Sequence, residues 1–338
     1  MSQKSELQLA NFICKYREKD LLDYPKLFAK VFFNGPMVRK FKDTKYILKD
    51  IQLVSIGDGI EVVAGRFIKD LFLHREQVYR DDGILVSDAR KMQSSPSALF
   101  FLVLNDHRLL YFHESSYAPS LHVFESSVRW FFKDVRRKRI DNILLSDTEK
   151  VYYARKYERK ITRSFLNDLI PDPEIKVIPI SSAVSLKAFV EKFSILRRVR
   201  VSIYDTNNEL DTDAMFQALR EQKQRVKGER TVLEHVSKEG LDKDEVATEF
   251  SDLTSLGNNE LVFKGVGLNG NAISGNNNDF SIKVPIGQLP RDMQESARRV
   301  YDVYAGLLAN KTVGKQVSQG TVDEKIKKLK RVIDDAQE

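Results

Sequence analysis

The sequence predicts an α+β fold of two lobes, with mixed antiparallel strands, long amphipathic helices and no Rossmann or helix-turn-helix module. Three observations carry that expectation. Apolar alternations are joined by short Asp-Gly and Asn-Asp turns in the first third of the chain, which is how antiparallel hairpins read. After Pro119 the apolar period lengthens to three and four residues, as in a helix with one buried face. A Gly- and Asn-rich strand meander then precedes a last long helical pattern, so strands and helices come in separate runs rather than strict alternation. With 338 residues, 42% hydrophobic and 30% charged, the chain has room for two ordinary cores.

The N-terminus reads as helix to about Lys19, and a second helix opens at Pro25 (PKLFAKVF), since proline suits a first helical position. Asn34-Gly35-Pro36 ends it. YILKDIQLVSI and IEVVAGRFIKDLFL flank Gly57-Asp58-Gly59, and ALFFLVL and RLLYFH flank Asn105-Asp106-His107, giving two hairpins. ALFFLVL is apolar enough to be buried on both faces. From Leu121 a helix places Leu121, Phe124, Val128, Phe131 and Val135 inward. Ser146-Asp147-Thr148-Glu149 is a capping box for a further helix, with Val151, Ala154, Tyr157, Ile161 and Phe165 inward, stopped by Pro171 and Pro173. IKVIPI and SILRRVRVSIYD are strands. Asp211 or Asp213 caps a helix to about Val226, and another helix lies near Glu245–Leu256. LVFKGVGL, NAISG and DFSIKVPI form the meander. The helix after Pro290 turns Met293, Ala297, Val300, Tyr304 and Leu307 inward. The expected division is a helical extension (1–50), a first lobe (51–185), a second lobe (186–310) and a polar tail (311–338). The tail's short stripe of Val322, Ile326, Leu329 and Ile333 is expected to fray or to meet a partner.

Charge is the most informative property. The whole chain carries 55 basic and 48 acidic residues, a surplus of seven. Residues 129–163 alone hold 12 bases and 5 acids, the same surplus of seven, interleaved with Trp130, Phe131, Tyr152, Tyr153 and Tyr157. Such a concentration reads as a polyanion-binding face. Arg129, Lys133, Arg136 and Arg137 lie outside the first helix's buried stripe, and Arg136-Arg137-Lys138-Arg139 should repel itself unless an anion relieves it. Arg155, Lys156, Arg159, Lys160 and Arg163 form one outer stripe on the next helix. Arg197, Arg198 and Arg200 on the later strand are secondary candidates.

Motifs of catalysis do not accompany these charges. GVGLNG (Gly265, Gly267, Gly270) matches a dinucleotide fingerprint in letters, but no helix can follow to receive a pyrophosphate, so its glycines are expected in β-turns. The single cysteine, Cys14, excludes a disulfide framework within the chain and any cysteine-based zinc site. His107, His113 and His122 have no metal-ligand spacing. A metal-dependent nuclease is the enzymatic rival, with Asp58, Glu61 or His113 as ligands, and a protein-interaction subunit meeting an acidic partner is the other. The expectation is no catalytic residues, no metal and no cofactor. No run is long enough for a membrane span and the N-terminus has no signal-peptide core, so a cytoplasmic location is expected.

The order of IEVVAGRFIKD, SALFFLVLNDHRLLYFHESSYAPSLHVFESSVRWF, IKVIPISS with ILRRVRVSI, and NELVFKGVGLNGNAISGNNNDFSIKVPIG before the last long helix resembles the RexA-type phage-exclusion proteins. The likeness spans most of residues 56–310 and lies in pattern more than in motif. It implies a two-domain homodimer that binds DNA with little sequence preference, acting as sensor or effector in defence against infecting phage. Double-stranded DNA is the expected partner, and a second defence-system protein is a further candidate. No family motif maps residue by residue, so the candidate residues rest on charge and helical phase. For self-association, the sequence offers Tyr301 and Leu308 beside the inward stripe of their helix, and the tail stripe.

Overall fold

The computed structural model describes residues 6–79, 85–207, 214–316 and 321–335. In chain order the elements are β1 (Glu6–Tyr16), β2 (Lys19–Asp20), α1 (Pro25–Phe32), β3 (Met37–Phe41), β4 (Thr44–Gly57), β5 (Ile60–Tyr79), β6 (Leu85–Ser94), β7 (Ser97–Val103) and β8 (Arg108–His113), then α2 (Leu121–Leu145), α3 (Asp147–Tyr157), α4 (Arg163–Leu169), β9 (Glu174–Pro179), α5 (Ala183–Val190), β10 (Phe193–Ile203), α6 (Ala214–Arg225), β11 (Thr231–Val236) and α7 (Lys243–Leu256), then β12 (Asn259–Gly267), β13 (Ala272–Asn276), β14 (Lys283–Pro285), α8 (Met293–Ala309) and α9 (Val322–Asp334). This is an α+β fold. Among the described residues a ten-stranded sheet runs β14-β1-β8-β7-β5-β4-β3, with β2 and β9 also on β1 and β6 on β5, and a four-stranded sheet runs β11-β10-β12-β13. All the pairings are antiparallel.

The large sheet is covered on both faces. Ala98, Phe100 and Leu102 of β7 pack with α1, α2 and α9, whereas Leu99, Phe101 and Val103 pack with α8. ALFFLVL is therefore buried on both sides, because successive side chains of a strand point to opposite faces. The smaller sheet shares its core with α5, α6 and α7.

Three expectations fail here. The N-terminal helix is strand β1, paired to β8 along one edge and to β14 and β9 along the other. Its Leu7 and Leu9 enter one core, and its Ala10, Phe12, Cys14 and Tyr16 the other. A central strand buried on both faces loses its polar alternation, so periodicity could not separate it from a helix. In the stretch expected to be a helical extension (1–50), the described residues 6–50 instead hold a central strand and most of an edge hairpin of the large sheet. The second correction concerns the later elements: β14 pairs with β1, and α8 covers the large sheet. Only residues from about Ala183 to Phe280 build the core of the smaller sheet. Third, the tail stripe is neither frayed nor vacant: Val322, Ile326, Leu329 and Ile333 are buried with Leu21, Phe28 and Phe32. Lys325 secures that helix through Asp20 and Asp23 at 2.7 and 3.0 Å. Strand β11, which the sequence pattern did not mark, completes the second sheet, while the expected caps Asp211 and Asp213 lie outside the described residues.

The sheets meet along a polar seam. Asn11 Nδ2 donates to Asn258 Oδ1 at 2.9 Å, and Asn277 Nδ2 to the Pro179 and Asn259 carbonyls at 3.4 and 3.2 Å. Fully buried Arg108 donates from β8 to the carbonyls of Leu256, the last residue of α7, and Gly314 at 2.7 and 3.0 Å. A guanidinium there meets the negative end of the α7 dipole. Tyr304 donates to Asp106 beside it, and burial, opposed by Arg108, raises the Asp106 carboxyl above the ordinary aspartate range.

Candidate nucleic-acid interface

Helix α2 starts where expected: the Ser120 hydroxyl accepts from Val123 N, and Leu121, Phe124, Val128, Phe131 and Val135 are buried. Its basic surface is less available than its charge count suggests. Arg129 donates to Glu125 and to the Ile175 carbonyl of β9. Burial, opposed by the Val177 amide and Arg129, raises the Glu125 carboxyl. Largely buried Arg136 joins Asp172 at 2.9 Å and the Ile170 carbonyl at 2.6 Å. Arg137 and Lys138 share Asp134, and Arg139 meets Glu149 at 2.8 Å. Burial alone would lower the Arg139 guanidinium, but Glu149 and Tyr153 raise it on balance. The self-repulsion expected of the Arg136–Arg139 run is thus relieved within the chain, without a polyanion. Of the α2 candidates, Lys133 is exposed with no carboxylate in ion-pair range among the described residues.

The single basic stripe expected beyond Ser146 is broken into three pieces. Ser146 accepts from Glu149 N, but the Glu149 carboxylate turns to Arg139, so only half the capping box forms. Helix α3 stops at Tyr157, Glu158 takes a left-handed conformation at φ 51°, and Thr162 caps a new helix, α4. Val151 is exposed and α3 fully buries none of its side chains. An aromatic ladder joins the pieces instead: Tyr153 stacks on Tyr157 at 6.1 Å and Tyr157 meets Phe165 at 5.4 Å. Arg155 and Lys156 occupy the last turn of α3, where cations complement the helix dipole. Arg159 and Lys160 follow in the turn, and Arg163 opens α4 in an ion pair with Asp141 at 2.6 Å. Lys156 lies 5.6 Å from the Tyr157 ring centroid, and Arg159 4.5 Å from that of Phe165. All four of Arg155, Lys156, Arg159 and Lys160 are exposed, and none has a carboxylate partner among the described residues.

The second-lobe candidates stand apart on β10. Arg198 and Arg200 both approach Glu234 of β11, at 3.8 and 2.8 Å, and exposed Arg197 sits at a bulge. No hydrogen bond or ion pair among the described residues links them to α2 or α3. Gly265, Gly267 and Gly270 lie in the β12–β13 hairpin, where Gly270 N donates to the Gly267 carbonyl at 2.9 Å. The rival metal ligands are not gathered. Glu61 is buried and engaged by Lys330 and Ser55, Asp58 occupies a turn, and His113 packs edge-on to Tyr111. Burial and the charge of Lys283 hold the His113 imidazole below its ordinary value. Among the described residues no three His, Cys, Asp or Glu side chains form a metal-binding group.

The surfaces expected for self-association change as well. The tail stripe is occupied by the chain's own core, and Tyr301 and Leu308 of α8 are partly buried against the core beneath that helix.

Sequence inspection passed over the β3–β4 hairpin. Residues 37–46 (MVRKFKDTKY) hold four bases and one acid, and a ten-residue charge window would have found them. Arg39 Nη1 donates to Ser126 and Ser127 of α2 at 3.0 and 3.2 Å, so the hairpin docks beside the basic helix. The β3–β4 hairpin, α2 and α3 each present cations and an exposed ring (Phe41, Trp130 and Tyr152), a combination suited to phosphate attraction. Among the described residues no helix is long and apolar enough to cross a membrane. No protein-family model matches the chain, and no curated protein matches it.

Proposed function

We propose that this chain binds DNA through its phosphate backbone, without reading sequence, and serves in phage exclusion. The observation that carries the binding is the set of exposed cations without carboxylate partners among the described residues: Lys133, Arg155, Lys156, Arg159 and Lys160. Ion-paired arginines at folded interfaces are engaged by the fold, whereas these five keep exposed charge beyond the helix-end and ring contacts that Arg155, Lys156 and Arg159 make. Lys and Arg on a curved helical surface contact phosphates, fixing affinity and salt dependence while leaving base edges unread. The resemblance to RexA-type proteins supports the setting and a homodimeric state; two copies on one duplex would add contacts through effective concentration.

The test is binding to random-sequence duplex across a salt series, with and without Mg²⁺. Log affinity should fall linearly with log salt, with equal slopes for unrelated sequences. Absence of binding at low salt would refute the reading and favour an acidic protein partner. Mg²⁺-dependent cleavage of the duplex would favour the nuclease instead.

A further inference from the structure

We propose that the β3–β4 hairpin and the outer stripe of α2 form a base-stacking platform for an unpaired nucleic-acid strand, an inference that rests on the polyanion-binding reading above. Met37, Arg39 and Phe41 project from one face of β3, as alternate residues of a strand must. Met37 reaches the core and Arg39 reaches α2, leaving Phe41 beyond the packed region and 51% exposed. Two cations flank its ring: Arg39 and Lys42, at 5.5 and 5.9 Å from the centroid. Lys42 opens the hairpin turn at φ 52°, and neither it nor Lys40 has an ion-pair partner among the described residues. On α2, Ser126, Trp130, Lys133 and Arg137 share a stripe, with Trp130 about 6 Å along the axis from the serine that accepts from Arg39. Trp130 is itself 38% exposed.

Phosphates explain the cations of this surface but not its rings. An aromatic face left in water gains nothing from a phosphate, while the face of an unpaired base covers it favourably, with every base able to do so. In a duplex those base faces are already stacked. Two exposed rings, that of Phe41 flanked by cations, on elements tied together by the Arg39 hydrogen bonds, therefore fit a strand whose bases are free to turn inward. The shared ligand chemistry is an unpaired polynucleotide, either deoxyribose or ribose.

The experiment uses the full chain with oligo-dT and oligo-U of about 15 nucleotides, within the size range of single-strand sites, and a duplex of equal length. Trp130 is the only tryptophan in the chain, so its emission reports stacking directly. Single strands should quench it, and the duplex should not. Phe41→Ala should weaken single-strand binding by about tenfold and duplex binding by less than about twofold, while Phe41→Tyr restores the single-strand value. An unchanged thermal transition in both variants confirms folding. Quenching by oligo-dT, oligo-U or both supports the platform and identifies the sugar. Normal single-strand binding by Phe41→Ala, or equal losses on both ligands, overturns the platform while leaving phosphate binding intact. No binding of the wild type to either ligand overturns both.

Discussion

Replacing Arg155, Lys156, Arg159 and Lys160 together with alanine separates a binding surface from ordinary solvated charge. None of the four is buried or carboxylate-paired among the described residues, so the folded chain should tolerate their loss. The structural cost comes from weakened dipole complementarity at the end of α3 and from the lost ring contacts of Lys156 and Arg159. These total roughly 1–2 kcal/mol, partly offset because alanine favours helix. The effect on binding should be larger and of a different kind. If all four meet phosphates, the slope of log affinity against log salt falls by about 3.6. Between 50 and 200 mM salt the wild type should then lose about 150-fold more affinity than the variant. Fluorescence anisotropy with two unrelated duplexes measures this, and both should show the same change. A folded variant with the wild-type slope would refute the assignment and redirect attention to Arg197, Arg198 and Arg200.

Three further outcomes test the fold beneath this surface. A Cβ at Gly265 would lie 2.1 Å from the Ile195 carbonyl, whereas Gly270 suffers only its φ of 76° and Gly267 meets nothing closer than 3.6 Å. Urea unfolding should therefore rank Gly265→Ala worst, at about 3 kcal/mol or more, Gly270→Ala near roughly 1 kcal/mol, and Gly267→Ala close to neutral; equal costs would contradict the hairpin geometry. Leu329→Ala, in the buried face of α9, should cost about 2–5 kcal/mol, and a loss below about 1 kcal/mol would mean that α9 does not belong to the core. Asp106 titrates above the ordinary aspartate range, so the native state holds its proton at pH values where the unfolded chain has lost it. Its contribution must decline as pH rises from about 4 through that raised value. The stability of the wild type relative to Asp106→Asn should fall over this interval, and parallel curves would refute the assignment.

The elements that the sequence exposed clearly were those with one wet face or a sharp turn. Helix α2 kept its three-four spacing because one side meets solvent, and both early hairpins were marked by turns that only a few residues accommodate. Strand β1 was hidden by its burial on both sides. Helix α9 had a legible stripe, but nothing local could say that Phe28 and Phe32, some three hundred residues earlier, would cover it. The break between α3 and α4 was harder still. The apolar spacing from Val151 to Phe165 suits a continuous helix, yet Thr162 offers a new cap and the three aromatic rings stack across a left-handed Glu158. Local hydrogen bonding and ring packing overrode the period.

For the candidate surface, composition located the charge but could not say which charges were already used. The Arg136–Arg139 run, the densest in the sequence, is the part most absorbed by the fold: its acids come from Asp134 within the helix, Glu149 on α3 and Asp172 beyond α4. Sequence distance hides such partners, and a charged arginine brought against two carbonyls and a carboxylate has little left to offer a ligand. The thinner clusters at the end of α3 and on the β3–β4 hairpin keep Arg155, Lys156, Arg159, Lys160, Lys40 and Lys42 exposed, because the acids of those turns, Glu158 and Asp43, form no ion pair with them among the described residues. Affinity for a polyanion depends on charges that can release counterions, not on the total number of bases. The useful measure of this surface is therefore the cations left over after folding, and by that measure its centre lies away from the run that first draws the eye.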